Sequence, residues 1–353
     1  MTAALYQPGS DFRWPAEWEP MVAIWLAWPH NLQTWPGRFP HIPQAFTRFI
    51  RQVAEVLPVE LLVPPHAATI AACYLKNVGN VTTHDCPTND CWIRDYGPTF
   101  VQAIHTGKIH GIDWRYNCWG GKYPPWDDDA AAAAKICGWA GVDAVSSPLT
   151  VEGGALEGDG QGRLLTTRSC LVTDSRNPGW NQNDIARELH RCLGATEILW
   201  LDEGGLDGDD TDGHIDQIAR FIDPMNVVVA ASTEPGDPSY AALQRNLDQL
   251  QIWGRQTEPS VQVHALPCPP PRWIDGQRVP ESYCNFLFLG DQAVLVPQFR
   301  NPATDRVAVS MLRNLLPRTE VIGVDAADLA WGLGALHCAS QQQPQPITDT
   351  LQS

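Results

Sequence analysis

Four short segments of this 353-residue chain carry the side chains that could perform chemistry. The last contains Cys338, which follows a glycine-bearing run over residues 331–337. The three upstream segments carry acids and an imidazole: Trp92-Ile93-Arg94-Asp95, Glu152-Gly153-Gly154 and Asp212-Gly213-His214-Ile215-Asp216. A thiol with a base suits covalent attack on an electrophilic carbon, and surrounding carboxylates suit a cationic substrate. The combination favours chemistry on a guanidinium group.

Two histidines could act as the base for Cys338. His337 is adjacent in sequence, but neighbours in an extended segment face opposite sides, so we expect it to serve structure. The run 212–221 alternates apolar residues as a strand does, which predicts that His214 and Asp216 point to the same face. We therefore expect His214 to be the base. Seen alone, the pair of His214 and Asp216 is equally typical of a surface hydrogen bond.

Two further acids stand at predicted turns. Asp95 comes just before Gly97-Pro98, where the end of a strand would direct it into a cleft. The alternative is a surface pair between Arg94 and Asp95 beside a buried Trp92. Glu152 stands on a tight turn ahead of a predicted hairpin, where it could orient a histidine or be a plain turn carboxylate. Neither segment indicates a site by itself.

The acidic, glycine-rich run 207–213 invites comparison with a calcium loop. The EF-hand pattern fails, because placing Gly213 at the sixth position puts Gly208 and Ala219 where acidic ligands are required. The ten cysteines form no C-x-x-C pair, which argues against a zinc site and against a disulfide framework. We therefore expect no metal, no cofactor and mostly buried, reduced thiols.

The composition disfavours several classes of partner. The formal net charge is -16, which argues against nucleic acid and anionic membranes and would attract small cations. No apolar run approaches the roughly 20 residues that span a bilayer, and residues 1–8 show no secretory signal. With 44% hydrophobic residues the chain can bury a sizeable core. Because no secretory signal is visible and the cysteines form no disulfide pattern, we expect a cytoplasmic protein.

Short apolar runs alternate with helical patterns along the chain. Helices are predicted over 44–56, 128–137, 183–192, 240–252 and 305–315, and strands over 22–28, 59–63, 99–104, 163–167, 198–201, 227–231, 261–266, 293–296 and 320–324. Five strand–helix modules suggest a structural repeat closed into a ring, and a generic α/β sheet is the alternative. We expect one catalytic domain over residues 1–353, with a frayed polar tail over 345–353.

Taken together, the motifs resemble the agmatine deiminase and bacterial peptidylarginine deiminase family. The resemblance extends from about residue 14 to residue 344, and it is carried by Trp28-Pro29-His30-Asn31, Trp35-Pro36-Gly37, Trp92-Ile93-Arg94-Asp95-Tyr96-Gly97-Pro98, Asn117-Cys118-Trp119-Gly120-Gly121-Lys122, Glu152-Gly153-Gly154, residues 208–216, His337-Cys338 and Gln341-Gln342-Gln343-Pro344. It implies the pentein fold, a five-bladed α/β propeller of about five ββαβ modules with pseudo-five-fold symmetry. It also suggests a homodimer.

The resemblance implies roles for individual residues. Cys338 would be the nucleophile, and His214 the general acid and base with Glu152 as its partner. Asp95 and Asp216 would hold the guanidinium group of a small cationic substrate. No cofactor or metal would take part.

The resemblance also concerns the channel and the nucleophile loop. Trp92 would lie along the substrate channel, and Asp210 would lie near a distal amine of the substrate. The chain departs from the usual family pattern at Leu333, where glycine is frequent, and at Ser340, where threonine is frequent. Both departures concern loop geometry and substrate range more than the chemistry.

The implied reaction is hydrolytic deimination through a covalent S-alkylthiouronium on the cysteine. Agmatine, giving N-carbamoylputrescine and ammonia, is the first candidate, because it has an amine and no carboxylate and the sequence shows no arginine clamp. Peptidyl-arginine and other alkylguanidines stay open as substrates. An amidinotransferase and a non-catalytic pentein binding protein are the remaining alternatives.

Overall fold

The computed structural model describes residues 10–347. The expectations for residues 1–8 and for residues 348–353 of the polar tail lie outside this range. At the start of that tail, the backbone N–H of Gln345 donates to the carbonyl of Pro20 at 2.8 Å.

Strands and helices alternate throughout the described range. The strands are β1 Phe12–Arg13, β2 Met21–Ala27, β3 Val59–Val63, β4 Val81–Asp85, β5 Thr99–Ala103, β6 Ile109–Arg115, β7 Asp143–Thr150, β8 Glu157–Gly158, β9 Arg163–Thr167, β10 Glu197–Leu201, β11 Ala219–Asp223, β12 Asn226–Ala231, β13 Gln262–Pro267, β14 Trp273–Ile274, β15 Gln277–Arg278, β16 Leu287–Leu289, β17 Ala293–Gln298, β18 Glu320–Asp325 and β19 Ser340–Pro344. The helices are α1 Ile42–Ala54, α2 Ala68–Leu75, α3 Ile93–Tyr96, α4 Cys118–Gly121, α5 Asp127–Ala130, α6 Ala132–Ala140, α7 Arg168–Leu171, α8 Gln182–Leu193, α9 Tyr240–Gln256 and α10 Pro302–Leu315.

Five sheets repeat one pairing pattern. In each, a central strand pairs antiparallel with one neighbour and parallel with the other, and the central strands are β2, β6, β9, β12 and β17. A helix joins the two parallel strands of each sheet, as parallel pairing requires. Each sheet is open, and no closed sheet joins the five among residues 10–347. The mixed α/β class predicted from the sequence is confirmed.

Segments from near the two ends of the described range pair in one of these sheets. Strand β19 pairs antiparallel with β2, and Ser340 lies opposite Leu26 in the register. The indole N–H of Trp25 donates to Gln343 at 2.9 Å across this pairing. Because β19 begins two residues after Cys338, the pairing fixes the position of the thiol.

Helix α1 illustrates how the sequence specifies its elements. Phe46, Phe49, Ile50 and Val53 recur at spacings of three and four, fall on one helix face and are all buried. The central strand β12 is instead a continuous apolar run, typical of a strand covered on both faces. Burial of each large apolar side chain contributes about 1.5 to 3 kcal/mol.

The strand predicted over 212–221 is wrong in its first half. Residues 215–217 form a single 3-10 turn, and the strand begins only at Ala219. Polar side chains in the preceding loop hold the backbone away from a strand: Asp209 accepts from Gly213 N–H at 2.9 Å, and Thr211 accepts from His214 N–H at 3.0 Å. Gly213 has a φ of 102°, which favours glycine.

The structure also bears on the predicted state of the cysteines and on the prediction that no segment spans a membrane. All ten cysteines are unpaired and eight are buried, which confirms that they act mainly as small apolar side chains. Within residues 10–347, every helix is too short or too polar to cross a lipid bilayer.

Candidate active site

A cavity of about 130 Å³ opens beside Cys338. Its walls carry carboxylates and aromatic rings, namely Asp90, Asp95, Asp210, Trp92, Trp119 and Tyr123. No lysine, arginine or histidine is among the described side chains that line it. A cavity with this lining suits a small cation that has an apolar stem.

The loop before Cys338 packs tightly against tryptophan rings. A Cβ atom on Gly334 would lie 2.6 Å from Trp92, and one on Gly332 would lie 2.6 Å from Trp35, so both positions require glycine. Leu333 between them has a φ of 69°, a left-handed conformation that costs a non-glycine residue about 1 kcal/mol. Leu333 thus adopts a backbone conformation typical of the glycine that is frequent at this position in the family.

Two side chains contact the Cys338 thiol. The amide of Asn285 donates to Sγ at 3.0 Å, and Asp216 Oδ2 lies 3.4 Å from Sγ. Burial, followed by the charges of Asp216 and Asp95, raises the pKa of Cys338 well above its usual value. The resting side chain is therefore a thiol, and a cation bound near these carboxylates would favour its ionisation. Ser340 stabilises the same loop by donating to the carbonyl of Leu336 at 2.9 Å.

His214 lies between two carboxylates. Its Nδ1 is 3.7 Å from Asp95 Oδ1, and its Nε2 is 3.7 Å from Glu152 Oε2. Neither ring nitrogen has a hydrogen-bond partner among the described residues. Burial opposes the charged ring, but Asp95 and Glu152 outweigh it and raise the pKa of His214 well above its usual value. The imidazolium form can therefore act as a general acid.

Glu152 is held ionised by Arg176. The guanidinium Nε of Arg176 lies 2.8 and 2.9 Å from the two carboxylate oxygens, and both side chains are fully buried. Burial would raise the pKa of Glu152, but Arg176 and His214 lower it to about 2. A fixed negative charge thus lies behind the imidazole, as expected for a residue that orients and stabilises its charged form.

Glu152, Cys170 and His214 offer three buried ligand atoms within 4.8 Å of one another. This is the one such group of potential metal ligands among residues 10–347. Both oxygens of Glu152 already accept from Arg176, and that ion pair competes with coordination of a cation. The arrangement fits an ion-pair network around the imidazole, and the absence of a metal stays a prediction.

Asp95 and Asp216 both face the space beside His214. A Cβ atom on Gly154 would lie 2.6 Å from His214 Nδ1, 2.9 Å from Asp95 Oδ1 and 3.1 Å from Asp216 Oδ2, so the three groups converge on one point. The lack of a side chain at Gly154 leaves that space open. Asp95 accepts from Gly154 N–H at 3.0 Å and from the Trp119 indole at 2.9 Å.

The structure thus brings the five predicted catalytic side chains close to one another: Cys338, His214, Glu152, Asp95 and Asp216. Of these, Cys338 and Asp95 line the cavity. Trp92 lines the cavity, as expected for a channel residue. Asp210 lies at the same cavity but is not free, because the hydroxyl of Tyr123 donates to its carboxylate.

Two sequence interpretations need correction. His214 and Asp216 do not share the face of a strand, because the 3-10 turn over 215–217 separates them. Arg94 does not form a surface pair with Asp95. It is buried, donates to Gln342 at 2.6 Å and lies 3.4 Å from Glu17, while helix α3 directs Asp95 to the cavity.

Sequence reasoning missed four residues around the site. Trp119 lies within a motif that carried the family resemblance, so its signal was present but unused. Glu17, Arg176 and Asn285 contact His337, Glu152 and Cys338 respectively, and no local pattern marks them. Their roles depend on contacts between distant parts of the chain.

Known proteins share this architecture. The model of the Porphyromonas-type peptidyl-arginine deiminase family matches residues 13–344. A Legionella pneumophila protein, provisionally named as an agmatine deiminase, is 35% identical over 335 residues, or 95% of each chain. An Enterococcus faecalis agmatine deiminase structure is 30% identical with a TM-score of 0.89, covering 98% of this chain and 100% of that one. A C. jejuni agmatine deiminase variant with serine for cysteine and substrate bound is 29% identical with a TM-score of 0.88, covering 97% and 99%. The chain belongs to the Porphyromonas-type peptidyl-arginine deiminase family.

Proposed function

We propose that the protein hydrolyses agmatine to N-carbamoylputrescine and ammonia. One observation carries the proposal: a thiol, two buried carboxylates and an imidazole converge where Cys338 and Asp95 line a cavity that has no lysine, arginine or histidine in its described lining. The similarity to agmatine deiminases over almost the whole chain supports the same substrate.

The carboxylates Asp95 and Asp216 are proposed to hold the guanidinium group. Asp216 Oδ1 is buried and has no hydrogen-bond partner among the described residues, so it can accept from a guanidinium N–H. Paired, charge-assisted hydrogen bonds would orient the planar cation and place its central carbon beside Cys338. Trp92 would cover the alkyl stem.

Substrate binding is proposed to activate the nucleophile. The resting thiol of Cys338 has a raised pKa because of burial and because of Asp216 and Asp95. A guanidinium cation between these carboxylates offsets their charge, lowers the pKa of the thiol and lets its proton pass to solvent. The thiolate therefore forms when the substrate is present.

The chemistry then proceeds in two steps. The thiolate of Cys338 adds to the guanidinium carbon, and the imidazolium of His214 gives its proton to a nitrogen that leaves as ammonia. The resulting S-alkylthiouronium has a new C–S bond. Neutral His214 takes a proton from water as the water adds to the same carbon. Cleavage of the C–S bond, with transfer of the remaining hydroxyl proton to the sulfur, returns the thiol and releases the neutral ureido product.

The rim of the cavity supports a small substrate over a peptide. Tyr123 donates to the carboxylate of Asp210, and Lys122 pairs with Asp212 at 2.9 Å, so two segments are bridged across the rim. A bridged rim would hinder an arginine within a polypeptide. We propose that the Asp210 carboxylate attracts the distal amine of agmatine, and peptidyl-arginine is the second candidate substrate.

The finer architecture is part of the same proposal. Five sheets with one pairing pattern, one of which pairs β19 with β2, support a five-bladed pentein ring formed by one catalytic domain over residues 1–353. The predicted cytoplasmic location and homodimer stay predictions.

A product assay tests the proposal. Agmatine, free arginine and a blocked arginine peptide are incubated with the protein, and ammonia and ureido product are measured. We expect agmatine to be consumed fastest and Cys338→Ser to abolish turnover with an unchanged circular dichroism spectrum. Ammonia release by Cys338→Ser at the wild-type rate would overturn the assignment. Transfer of the amidine to an added amine, without ureido product, would favour an amidinotransferase.

A further inference from the structure

A buried chain of ionisable groups lies behind Asp216, on the side away from the cavity. His337 Nδ1 lies 2.7 Å from Asp216 Oδ2, and His337 Nε2 lies 2.7 Å from Glu17 Oε1. Exposure of these three side chains to solvent is between 0% and 8%. Three segments that are far apart in sequence therefore form one continuous trio, Glu17–His337–Asp216.

The two contacts of His337 constrain its protons. A neutral imidazole has one N–H, so two hydrogen bonds to carboxylate oxygens require a second proton within the trio. Burial, Arg220 and Arg94 lower the pKa of His337 below its usual value, although Glu17 and Asp216 act in the opposite direction. The second proton is therefore shared among the ring and the two carboxylates that contact it.

The far end of the trio is anchored. Glu17 Oε2 accepts from Arg220 at 2.6 Å, and Arg220 Nε donates to Glu157 at 2.7 Å. Arg94 lies 3.4 Å from Glu17 Oε1. Because these groups are buried and each has a fixed partner, His337 cannot turn away from Asp216 without breaking several charge-assisted contacts.

At the Asp216 end of the trio, the two carboxylate oxygens have different surroundings. Its Oδ2 accepts from His337 and lies 3.4 Å from the Cys338 sulfur. Its Oδ1 is buried and has no partner among the described residues. Burial would raise the pKa of Asp216, but the His337 hydrogen bond and charge, with His214 and Arg220, lower it. An ionised carboxylate with one committed and one free oxygen thus lies beside Cys338, which lines the cavity.

We propose that Glu17 and His337 are positioning residues that act through Asp216: His337 holds the carboxylate in place so that its free oxygen binds the guanidinium group. This inference rests on the proposed function for the identity of the substrate. His337 thereby has a part in the reaction although it does not touch the substrate. The charged and titratable groups that face the trio are Cys338, His214, Arg94, Arg220 and Glu157.

Two substitutions of His337 separate its two contacts. The amide nitrogen of asparagine can occupy the place of imidazole Nδ1, so His337→Asn keeps a donor to Asp216 and loses the donor to Glu17. The longer glutamine places its amide near Nε2, so His337→Gln keeps the donor to Glu17 and loses the one to Asp216. Both variants replace the ring with a neutral amide and open a similar space.

We expect the two variants to differ in turnover. His337→Gln should lower kcat/KM for agmatine about 10- to 100-fold more than His337→Asn, with an increase in KM, because a lost hydrogen bond to a charged group weakens guanidinium binding. The acid limb of the pH profile should move to higher pH in His337→Gln, since Asp216 loses the donor that lowers its pKa. Equal losses in the two variants, in proportion to their thermal stability, would overturn the proposal and leave a structural role.

A measurement without substrate keeps the inference separate from the proposed function. The rate of iodoacetamide alkylation of Cys338 is followed against pH by mass spectrometry of its peptide. We expect its midpoint to move to higher pH in His337→Gln and much less in His337→Asn, because Asp216 without its donor disfavours the thiolate more strongly. If wild type turns over no guanidinium substrate while this difference persists, the proposed function fails and the positioning role stands. If the two midpoints coincide, the positioning role fails.

A histidine–carboxylate pair elsewhere provides the control. His84 Nε2 lies 2.6 Å from Glu60 Oε2, between strands β3 and β4 and outside the cavity lining. His84→Asn and His84→Gln should leave the pH profile and the Cys338 alkylation midpoint at their wild-type values. A shift of similar size in these variants would show that the assays report general loosening of the fold, and would also overturn the proposal.

Discussion

Asp95 and Asp216 are the same residue type, are both almost wholly buried and both lie beside His214, yet their surroundings differ. Asp95 accepts from two neutral donors, the Trp119 indole and the Gly154 backbone. Asp216 accepts from His337, which belongs to a charged network. Burial consequently raises the pKa of Asp95 to about 6, whereas His337 and its neighbours lower that of Asp216. Two carboxylates that are proposed to bind one cation thus differ in their pKa values: that of Asp95 is raised and that of Asp216 is lowered.

Removing either charge should have the largest effect on activity. Asp216→Asn should lower kcat/KM for agmatine about 1000-fold, since Asp216 contacts both the thiol and the proposed guanidinium site, and Asp95→Asn about 100-fold. Steady-state kinetics at pH 8 measures both. Asp159→Asn is the control, because Asp159 is equally buried but pairs with Arg163 away from the cavity. A larger loss of kcat/KM in Asp95→Asn than in Asp216→Asn would contradict the expected order of the two carboxylates.

The same substitutions should change stability in opposite directions. A folded pKa of about 6 for Asp95 lies above its unfolded value, so its charge destabilises the fold above pH 6, and Asp95→Asn should stabilise the protein by up to about 3 kcal/mol at pH 7. The lowered pKa of Asp216 means that its charge stabilises the fold at neutral pH and is lost as pH falls. Asp216→Asn should therefore lower the midpoint of thermal unfolding. Midpoints of thermal unfolding that shift in the same direction in both variants would contradict the proposed difference between the two carboxylates.

A smaller effect should follow from removing one donor to Asp95. Trp119→Phe keeps the ring but loses the indole N–H, so the pKa of Asp95 should rise and the acid limb of kcat/KM should move upward from about pH 6. Because Asp95 must be ionised to hold the cation, activity falls as pH drops through that limb. At pH 6 we expect a loss of about 10-fold, as for one hydrogen bond to a charged acceptor.

A second tryptophan supplies the matched control for this experiment. Trp114 donates its indole N–H to Thr99 at 2.9 Å, and both residues are buried outside the cavity lining. Trp114→Phe should leave the acid limb unchanged. An unshifted profile in Trp119→Phe would mean that Trp119 does not control the ionisation of Asp95.

The regular elements were predicted well because their signals are local. The strands over 59–63 and 163–167 have the predicted limits, and helix α8 extends the predicted 183–192 by one residue at each end. Period-two and period-3.6 patterns specify such elements within a few residues. The segment 212–218 was mispredicted because hydrogen bonds that Asp209 and Thr211 accept from the backbone override the same alternating pattern.

The active site was predictable only in part. Cys338, His214 and the acids stood out by residue type and motif, and the structure brings them together. Glu17 and Asn285 did not stand out, because their contacts with His337 and Cys338 join segments up to 320 residues apart. A single sequence carries no local pattern for such contacts, so their partners become visible only in three dimensions.

The pairing of β19 with β2 has a consequence for how the protein is made. During synthesis β2 emerges early and can pair with β3, but its other edge stays unpaired until residues 340–344 are added. Cys338 reaches Asn285 and Asp216 only when β19 is in place. A nascent chain without β19 therefore has not yet assembled the groups around the Cys338 thiol.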